Sequence, residues 1–349
     1  MPSSRSVSPG AESRQNAPSA LALVGLPRMM GGPMVRPSFF EGPEKKLKVV
    51  VTPGFAPLRS LGDDLWHDVV EAAGAMVMSV LRSDRCDAYL LSESSLFVFD
   101  DCFILITCGQ TTLVDAVPRL LQHVPTESIA FLVYERKSEH FPEHQSTTFR
   151  EDARRLQTML PGRALRFGDE HGRYLQIFHT IRPYTPAKND PTLEVLMHVI
   201  DEDIAAKFAP QRLANHASVA VSSGIDAILP EFITSEHVFD PAGYSLNAVK
   251  GEEYYTLHVT PEETGSYVSF ETNHDFRGDV GGLVASIVDL FRPRAFDVVT
   301  FVPGTEPAYP VVGYQLGDHV VESLCGYRVS YFQYFVEPVG PRSACEIEL

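Results

Sequence analysis

The chain has 349 residues, 44% of them hydrophobic and 10% aromatic, which is enough for one large core or two modest ones and excludes wholesale disorder. No run of about 18 apolar residues offers a membrane-spanning helix. Lys and Arg number 29 against 45 Asp and Glu, and the resulting charge of −16 disfavours nucleic acid and anionic membranes while suiting a cationic ligand. Five cysteines (Cys86, Cys102, Cys108, Cys325, Cys345) form no CxxC pair. They read as a reducing, cytoplasmic setting without structural zinc or a disulfide framework.

Residues 1–37 are rich in Ser, Pro, Gly and Ala, and carry Arg5, Arg14, Arg28 and Arg36 against the single acid Glu12. Such a segment cannot build a core and reads as a disordered tail. An Arg- and Ser-rich start also fits a transit peptide, but the frequent Pro and Gly argue against its amphipathic helix. The tail carries +3, so the body beyond it carries −19.

From Phe39 onward, strand-like and helix-like segments alternate. Leu47–Thr52 is β-branched, and Asp63–Val80 has helical apolar spacing. Ala88–Asp100 is strand-like on both sides of a polar SESS step, and Phe103–Thr107 is a short apolar run. Thr111–Val124 reads as a helix with Thr at its start, Ile129–Arg136 as a strand and Phe149–Leu160 as a helix. In the second half, Leu193, Val195, Met197 and Val199 alternate with polar residues as a half-buried strand. A helix starts near Asp201, strands follow at Tyr255–Thr260 and Tyr267–Thr272, and Val280–Leu290 reads as a helix. Asp297–Val302 and Tyr327–Val336 complete the strands. The pattern Tyr-x-x-x-Glu-Ser/Thr occurs at Tyr89 and again at Tyr267, which suggests two similar α+β halves, about 38–185 and 186–340. The join is expected in the Pro-punctuated stretch Arg182–Pro191.

Five segments could carry chemistry. In Leu91-Ser92-Glu93-Ser94-Ser95 the bland reading is a polar turn; the sharper one is a self-cleaving bond. A serine hydroxyl placed on its own preceding carbonyl converts the amide to an ester, which β-elimination then splits. Cys108, at the end of an apolar strand before a helix, is expected to have a lowered pKa and to serve as acid or nucleophile. Phe239–Ser245 reads as a turn carrying aromatics and a serine. On its alternating strand, His258 shares a face with Thr256 and Thr260. The fifth segment, Phe39-Phe40-Glu41-Gly42-Pro43-Glu44, sets two acids beside aromatics.

Taken in order, FFEGPEK, YLLSESSLFV, FILITCG, TLEVLM, FDPAGYSLN, LHVTPE and SYVSFETN resemble the eukaryotic-type S-adenosylmethionine decarboxylase proenzyme over nearly all of the chain beyond the tail. The resemblance implies a four-layer α/β/β/α sandwich of two antiparallel sheets, internally duplicated. It implies cleavage between Glu93 and Ser94, which leaves a β chain (1–93) bound to an α chain (94–349). Ser94 would become a pyruvoyl group that takes the substrate amine as a Schiff base, with neither pyridoxal phosphate nor metal. Ser245 and His258 match the processing pair, Cys108 the proton donor, and Glu41 and Glu44 the acidic pair at the start of the family fold. Phe40 and Phe239 match the aromatics that sandwich adenine, and Glu262 the carboxylate on the ribose.

The implied substrate is S-adenosylmethionine and the product its decarboxylated form, the aminopropyl donor for spermidine and spermine. The resemblance also leaves room for a homodimer and for putrescine as activator, held by an acidic cluster to which Asp190, Thr192, Glu194 and Glu271 correspond. Lys48 and Ile106 depart from that cluster, and Ala242 from the common FDPCGYS. Lys48 is therefore expected to supply the positive charge in place of putrescine. Two alternatives remain: an inactive regulatory paralogue, against which Ser94, Cys108, Ser245 and His258 are all present, and a pyruvoyl-dependent ornithine or arginine decarboxylase, against which Phe40, Phe239 and Glu262 stand.

Overall fold

The computed structural model describes residues 39–208, 218–240, 242–262, 265–303, 309–337 and 340. The tail and Cys345 lie outside the described residues. The first half supplies strands β1 (Lys45–Val51), β2 (Val77–Arg82), β3 (Asp87–Leu91), β4 (Ser94–Val98), β5 (Cys102–Thr107), β6 (Ile129–Lys137), β7 (Gly162–Gly168) and β8 (Tyr174–Thr180). The second supplies β9 (Thr192–His198), β10 (Ile233–Val238), β11 (Tyr244–Lys250), β12 (Glu253–Thr260), β13 (Tyr267–Thr272), β14 (Ala295–Val302), β15 (Tyr314–Leu324) and β16 (Tyr327–Val336). The first sheet runs β2-β3-β4-β5-β1-β6-β8-β7 and the second β10-β11-β12-β13-β9-β14-β16-β15. Every strand of the second sheet is thus the one eight further along the chain from its counterpart. All neighbouring pairs are antiparallel.

The helices cover the outer faces. Leu47, Val49 and Val51 of β1 pack with Trp66 and Val69 of α1 (Asp63–Ala72), Val117 of α2 (Ala116–Leu120) and Leu156 of α3 (Phe149–Met159). On the other side, Val195 and Met197 of β9 pack with Ile204 of α4 (Glu202–Ala205), Val219 of α5 (Val219–Ser223) and Ile287 of α6 (Val280–Phe291). The two sheets face each other across a mixed layer. One apolar cluster joins Phe131 and Ile177 to Val299 and Val329, and another joins Phe97 and Ile106 to Tyr254. The central strands turn Lys46, Glu135, Lys137, Glu194 and Glu271 inward instead. Lys46 Nζ lies 2.7 Å from Glu194, 3.1 Å from Glu271 and 3.5 Å from Glu135, while Lys137 Nζ lies 2.7 Å from Glu194 and 3.3 Å from Glu135. Burial works against ionisation, but the two ammonium groups hold Glu194 down to about 2; burial and the Glu194 charge push Glu135 up to about 7.

Several sequence expectations need correction. The helix expected over Asp63–Val80 ends at Ala72, where Gly74 takes φ +88 and the chain turns into edge strand β2. Thr111–Val124 is a short 3-10 turn followed by α2; the Thr111 hydroxyl donates back to Thr107 and Cys108 rather than capping a helix. Strand β9 alternates as expected but is buried on both faces, because a sheet lies against one side and helices against the other. The Phe239–Ser245 turn ends at Gly243, and Ser245 already belongs to β11. The duplication is real, yet the Tyr89 and Tyr267 motifs do not carry it. Tyr89 is on β3 and faces helices, whereas Tyr267 is on β13 and faces the other sheet.

Candidate active site

The site forms where β4 of one sheet meets β11 and β12 of the other. Ser92 and Glu93 turn β3 into β4, so Ser94 opens the strand opposite Leu91 and Thr107. Strand alternation puts Leu96 and Val98 against the helices, and Ser95 and Phe97 toward the second sheet. Ser94 should therefore point with Leu96. Instead its φ is +131°, a left-handed backbone that costs a non-glycine residue about 1–3 kcal/mol. The inverted backbone brings its Oγ to 3.0 Å from His258 Nε2, beside Ser95 Oγ at 3.2 Å.

The carbonyl that Ser94 would attack is that of Glu93. It accepts from the Cys108 backbone N–H at 2.9 Å and from the Cys108 thiol at 3.3 Å. Two donors on one carbonyl oxygen form an oxyanion site. Gly109 holds Cys108 there: its N–H donates to the Glu41 carbonyl at 2.8 Å, and its carbonyl accepts from Lys45 Nζ at 3.0 Å. Gly109 has φ +64, and a Cβ on it would lie 2.9 Å from Glu93 Oε2 and 3.2 Å from the Phe40 ring. Glycine meets both the turn and the close approach without strain.

His258 and Ser245 are cross-strand partners, with Ser245 Oγ 2.8 Å from His258 Nδ1. Burial pushes the imidazole down to about 3, so it is neutral and able to accept a proton. Burial, with the Glu93 and Glu44 charges, pushes the Cys108 thiol well above its ordinary value. This corrects the expected lowering: no helix begins at Cys108, and no cation outweighs its desolvation. The group is a protonated thiol, suited to donating rather than attacking.

The remaining expected residues divide into three places. Glu44 accepts from the Ser269 hydroxyl at 2.6 Å, and burial raises its carboxyl to about 7. Glu41 spends its carboxylate on the His140 and Phe141 N–H groups at 2.8 and 2.9 Å, fastening that loop beneath Phe39. Phe40 is 40% exposed, leaving its ring available, and its N–H donates to Glu262 at 3.0 Å. Phe239 closes the turn ahead of β11 through its N–H to the Gly243 carbonyl. A cleft of about 770 Å3 opens beside Ala242, Glu262 and Ser266.

The expected charge cluster is split. Lys48 Nζ lies 2.7 Å from Asp190, which also accepts from Tyr327, whereas Glu194 and Glu271 belong to Lys46. Thr192 is buried at the start of β9 near the Lys48–Asp190 pair. Sequence reasoning missed Lys45, Lys46, Lys137, Glu135 and Asn247. The lysine spacing at 46 and 48 was a usable signal, since both fall on one face of β1. Among the described residues, no group of three or more His, Cys, Asp or Glu could hold a metal ion.

A family model described as adenosylmethionine decarboxylase matches residues 37–335. The S-adenosylmethionine decarboxylase proenzyme of Xenopus laevis is 34% identical over 280 residues, covering 76% of this chain and 83% of its own. That of Drosophila melanogaster is 33% identical over 310 residues, covering 80% and 89%. That of Dictyostelium discoideum is 31% identical over 289 residues, covering 77% and 76%. The crystal structure of a Trypanosoma brucei AdoMetDC-delta26 monomer shares the fold, with a TM-score of 0.54 at 23% identity over 70% of this chain and 99% of that one.

The buried imidazole has a consequence for stability. Its folded pKa of about 3 lies below the ordinary 6.5, so between those values the unfolded chain binds the extra proton. Folding stability therefore falls as pH drops from 6.5 toward 3. Urea unfolding of the uncut Ser94→Ala chain, with and without His258→Gln, isolates the effect. The chain keeping His258 should lose stability relative to the glutamine variant over that window; parallel pH profiles would rule it out.

Proposed function

The chain belongs to the adenosylmethionine decarboxylase family, and we propose that it reaches that activity by cutting its own backbone between Glu93 and Ser94. Its reaction is the decarboxylation of S-adenosylmethionine, which makes the aminopropyl donor of polyamine synthesis. One observation carries the self-cleavage reading: a left-handed serine whose preceding carbonyl is gripped by Cys108 and whose hydroxyl lies on a neutral imidazole.

Ser94 Oγ bonds to the Glu93 carbonyl carbon while Cys108 N–H and Sγ–H support the oxyanion. The bond from that carbon to the Ser94 nitrogen then breaks, and the hydroxyl proton ends on the nitrogen, leaving an ester. Ser245 lies on the other side of the imidazole and orients it. His258 next removes the Ser94 α-proton. The electron pair forms Cα=Cβ as the Cβ–Oγ bond breaks, releasing the Glu93 carboxylate. The enamine tautomerises to an imine, which water hydrolyses to a carbonyl and ammonia.

The residues present thus fit a pyruvoyl group at position 94. When formed, that group supplies the electron sink that loss of a carboxylate requires. The chain supplies the rest. Cys108 keeps a proton on Sγ for return to the substrate carbon. Phe40 and Phe239 offer faces for adenine, and Glu262 offers a carboxylate for the ribose hydroxyls. Glu41 and Glu44 act as positioning residues, the first through its backbone carbonyl, which accepts from the Gly109 N–H, and the second beside Cys108. An inactive paralogue or an ornithine or arginine decarboxylase is not favoured by the relatives' names.

The internal lysines also bear on activation. Lys46 and Lys137 form ion pairs with Glu194, Glu271 and Glu135, and Lys48 with Asp190. A diamine would bring positive charge where three ammonium groups already stand, so the three together take the role expected of Lys48 alone. Putrescine should change the activity of the purified enzyme by less than about twofold, since buried charge already paired gains little from more. Several-fold stimulation would sink this reading.

The self-cut is tested by intact mass. The wild-type chain should separate into fragments of 93 and 256 residues, the larger with a blocked N-terminus, and Ser94→Ala should stay whole and inactive. Cleavage of the alanine variant at the same bond would overturn the assignment.

A further inference from the structure

Two serine hydroxyls, not one, lie on the same imidazole nitrogen. Ser94 Oγ is 3.0 Å and Ser95 Oγ 3.2 Å from His258 Nε2, yet only Ser94 sits behind the gripped Glu93 carbonyl. If the Ser95 proton occupied the imidazole lone pair, Ser94 would lose its acceptor. The surroundings of Ser95 prevent this. Asn247 faces Thr256 across the β11–β12 ladder, and its Nδ2 donates to the Tyr89 carbonyl at 3.1 Å. That bond fixes the amide's orientation, because a carbonyl can only accept. Asn247 Oδ1 is thereby aimed at Ser95 Oγ, 2.6 Å away.

Thr256 Oγ1, the third hydroxyl, lies 2.8 Å from Nε2 and 3.2 Å from Ser95 Oγ. Its proton has acceptors elsewhere, in the Leu246 carbonyl and Asn247 Oδ1, each at 3.0 Å. All these groups are buried, so water does not compete for them.

We propose that Asn247 is the positioning residue that selects the nucleophile: it draws the Ser95 proton onto its Oδ1 and leaves Ser94 as the serine that donates to His258. The proposal rests on the self-cleavage reading above and adds to it a cause for choosing between neighbouring serines. The two strands that meet here are β11, carrying Asn247, and β4, carrying both serines, so selection is made across the sheet-to-sheet interface. Asn247 touches neither the scissile bond nor a substrate; it acts through Ser95.

The test is a processing time course on freshly synthesised chain, read by intact mass, for wild type, Asn247→Leu, Ser95→Ala and the double variant. Leucine keeps the side-chain volume but has no acceptor. Asn247→Leu should slow cleavage at Glu93–Ser94 by about tenfold, the effect of a competing hydrogen bond on a reacting group. In the Ser95→Ala background the same substitution should change the rate by less than about threefold, because Ser95 no longer competes and the Thr256 proton keeps the Leu246 carbonyl as its acceptor. A thermal melt checks that each variant folds, and Asn247→Ala, which vacates space instead of filling it, carries the same comparison if leucine does not. A wild-type rate in the single variant, or an equal slowing in both backgrounds, overturns the proposal. Failure of the underlying reading looks different: the wild-type chain itself would not cut at Glu93–Ser94.

Discussion

The Glu93 carbonyl lies between the Cys108 N–H and the Cys108 thiol, and the other parts of the site follow from that grip. Holding the oxygen fixes the peptide plane ahead of Ser94. The next residue brings its hydroxyl to His258 through a left-handed backbone. The strain stays where it is because the ladder on both sides over-determines it: Ser94 pairs with Leu91 and Thr107, and Ser95 is tied to Asn247. Cys108 is held in turn by Gly109, which is anchored through Glu41 and Lys45. Burial serves both reacting groups, keeping the imidazole without a proton and the thiol with one.

Duplication explains how such a site is assembled. Strand β4 of the first sheet and β12 of the second occupy equivalent places in their sheets, and they bring Ser94 and His258 together. The same inter-sheet layer carries the Lys46 and Lys137 cluster on the neighbouring strands β1, β6, β9 and β13. Apolar residues would serve such a core at least as well for stability alone. The charges instead surround the site with fixed partners.

Much of this was legible in the sequence. Period-2 runs gave β12, with His258 and Thr256 on one face, and period-3.6 runs gave α3 and α6. Glu93, Ser94, Cys108, Ser245 and His258 do converge. What escaped depends on tertiary partners. Whether the polar face of β9 meets water or another sheet cannot be read from alternation. Nor can local spacing separate the end of α1 from edge strand β2, since both carry apolar residues. The thiol of Cys108 was misjudged because burial, a property of the whole fold, outweighs what its sequence neighbours suggest. Asn247 stood inside a recognised motif, but its role appears only when β4 lies opposite it.

If the strained amide rearranges to an ester before the chain parts, hydroxylamine will trap that ester. Added at neutral pH while the newly made chain is cutting itself, it cleaves esters and spares amides. The account predicts a transient fragment ending in a hydroxamate at the Glu93 backbone carbonyl, together with a partner that begins with an unmodified Ser94. Fragments cut at this bond with no hydroxamate at any time would contradict it, because the bond would then break without an ester.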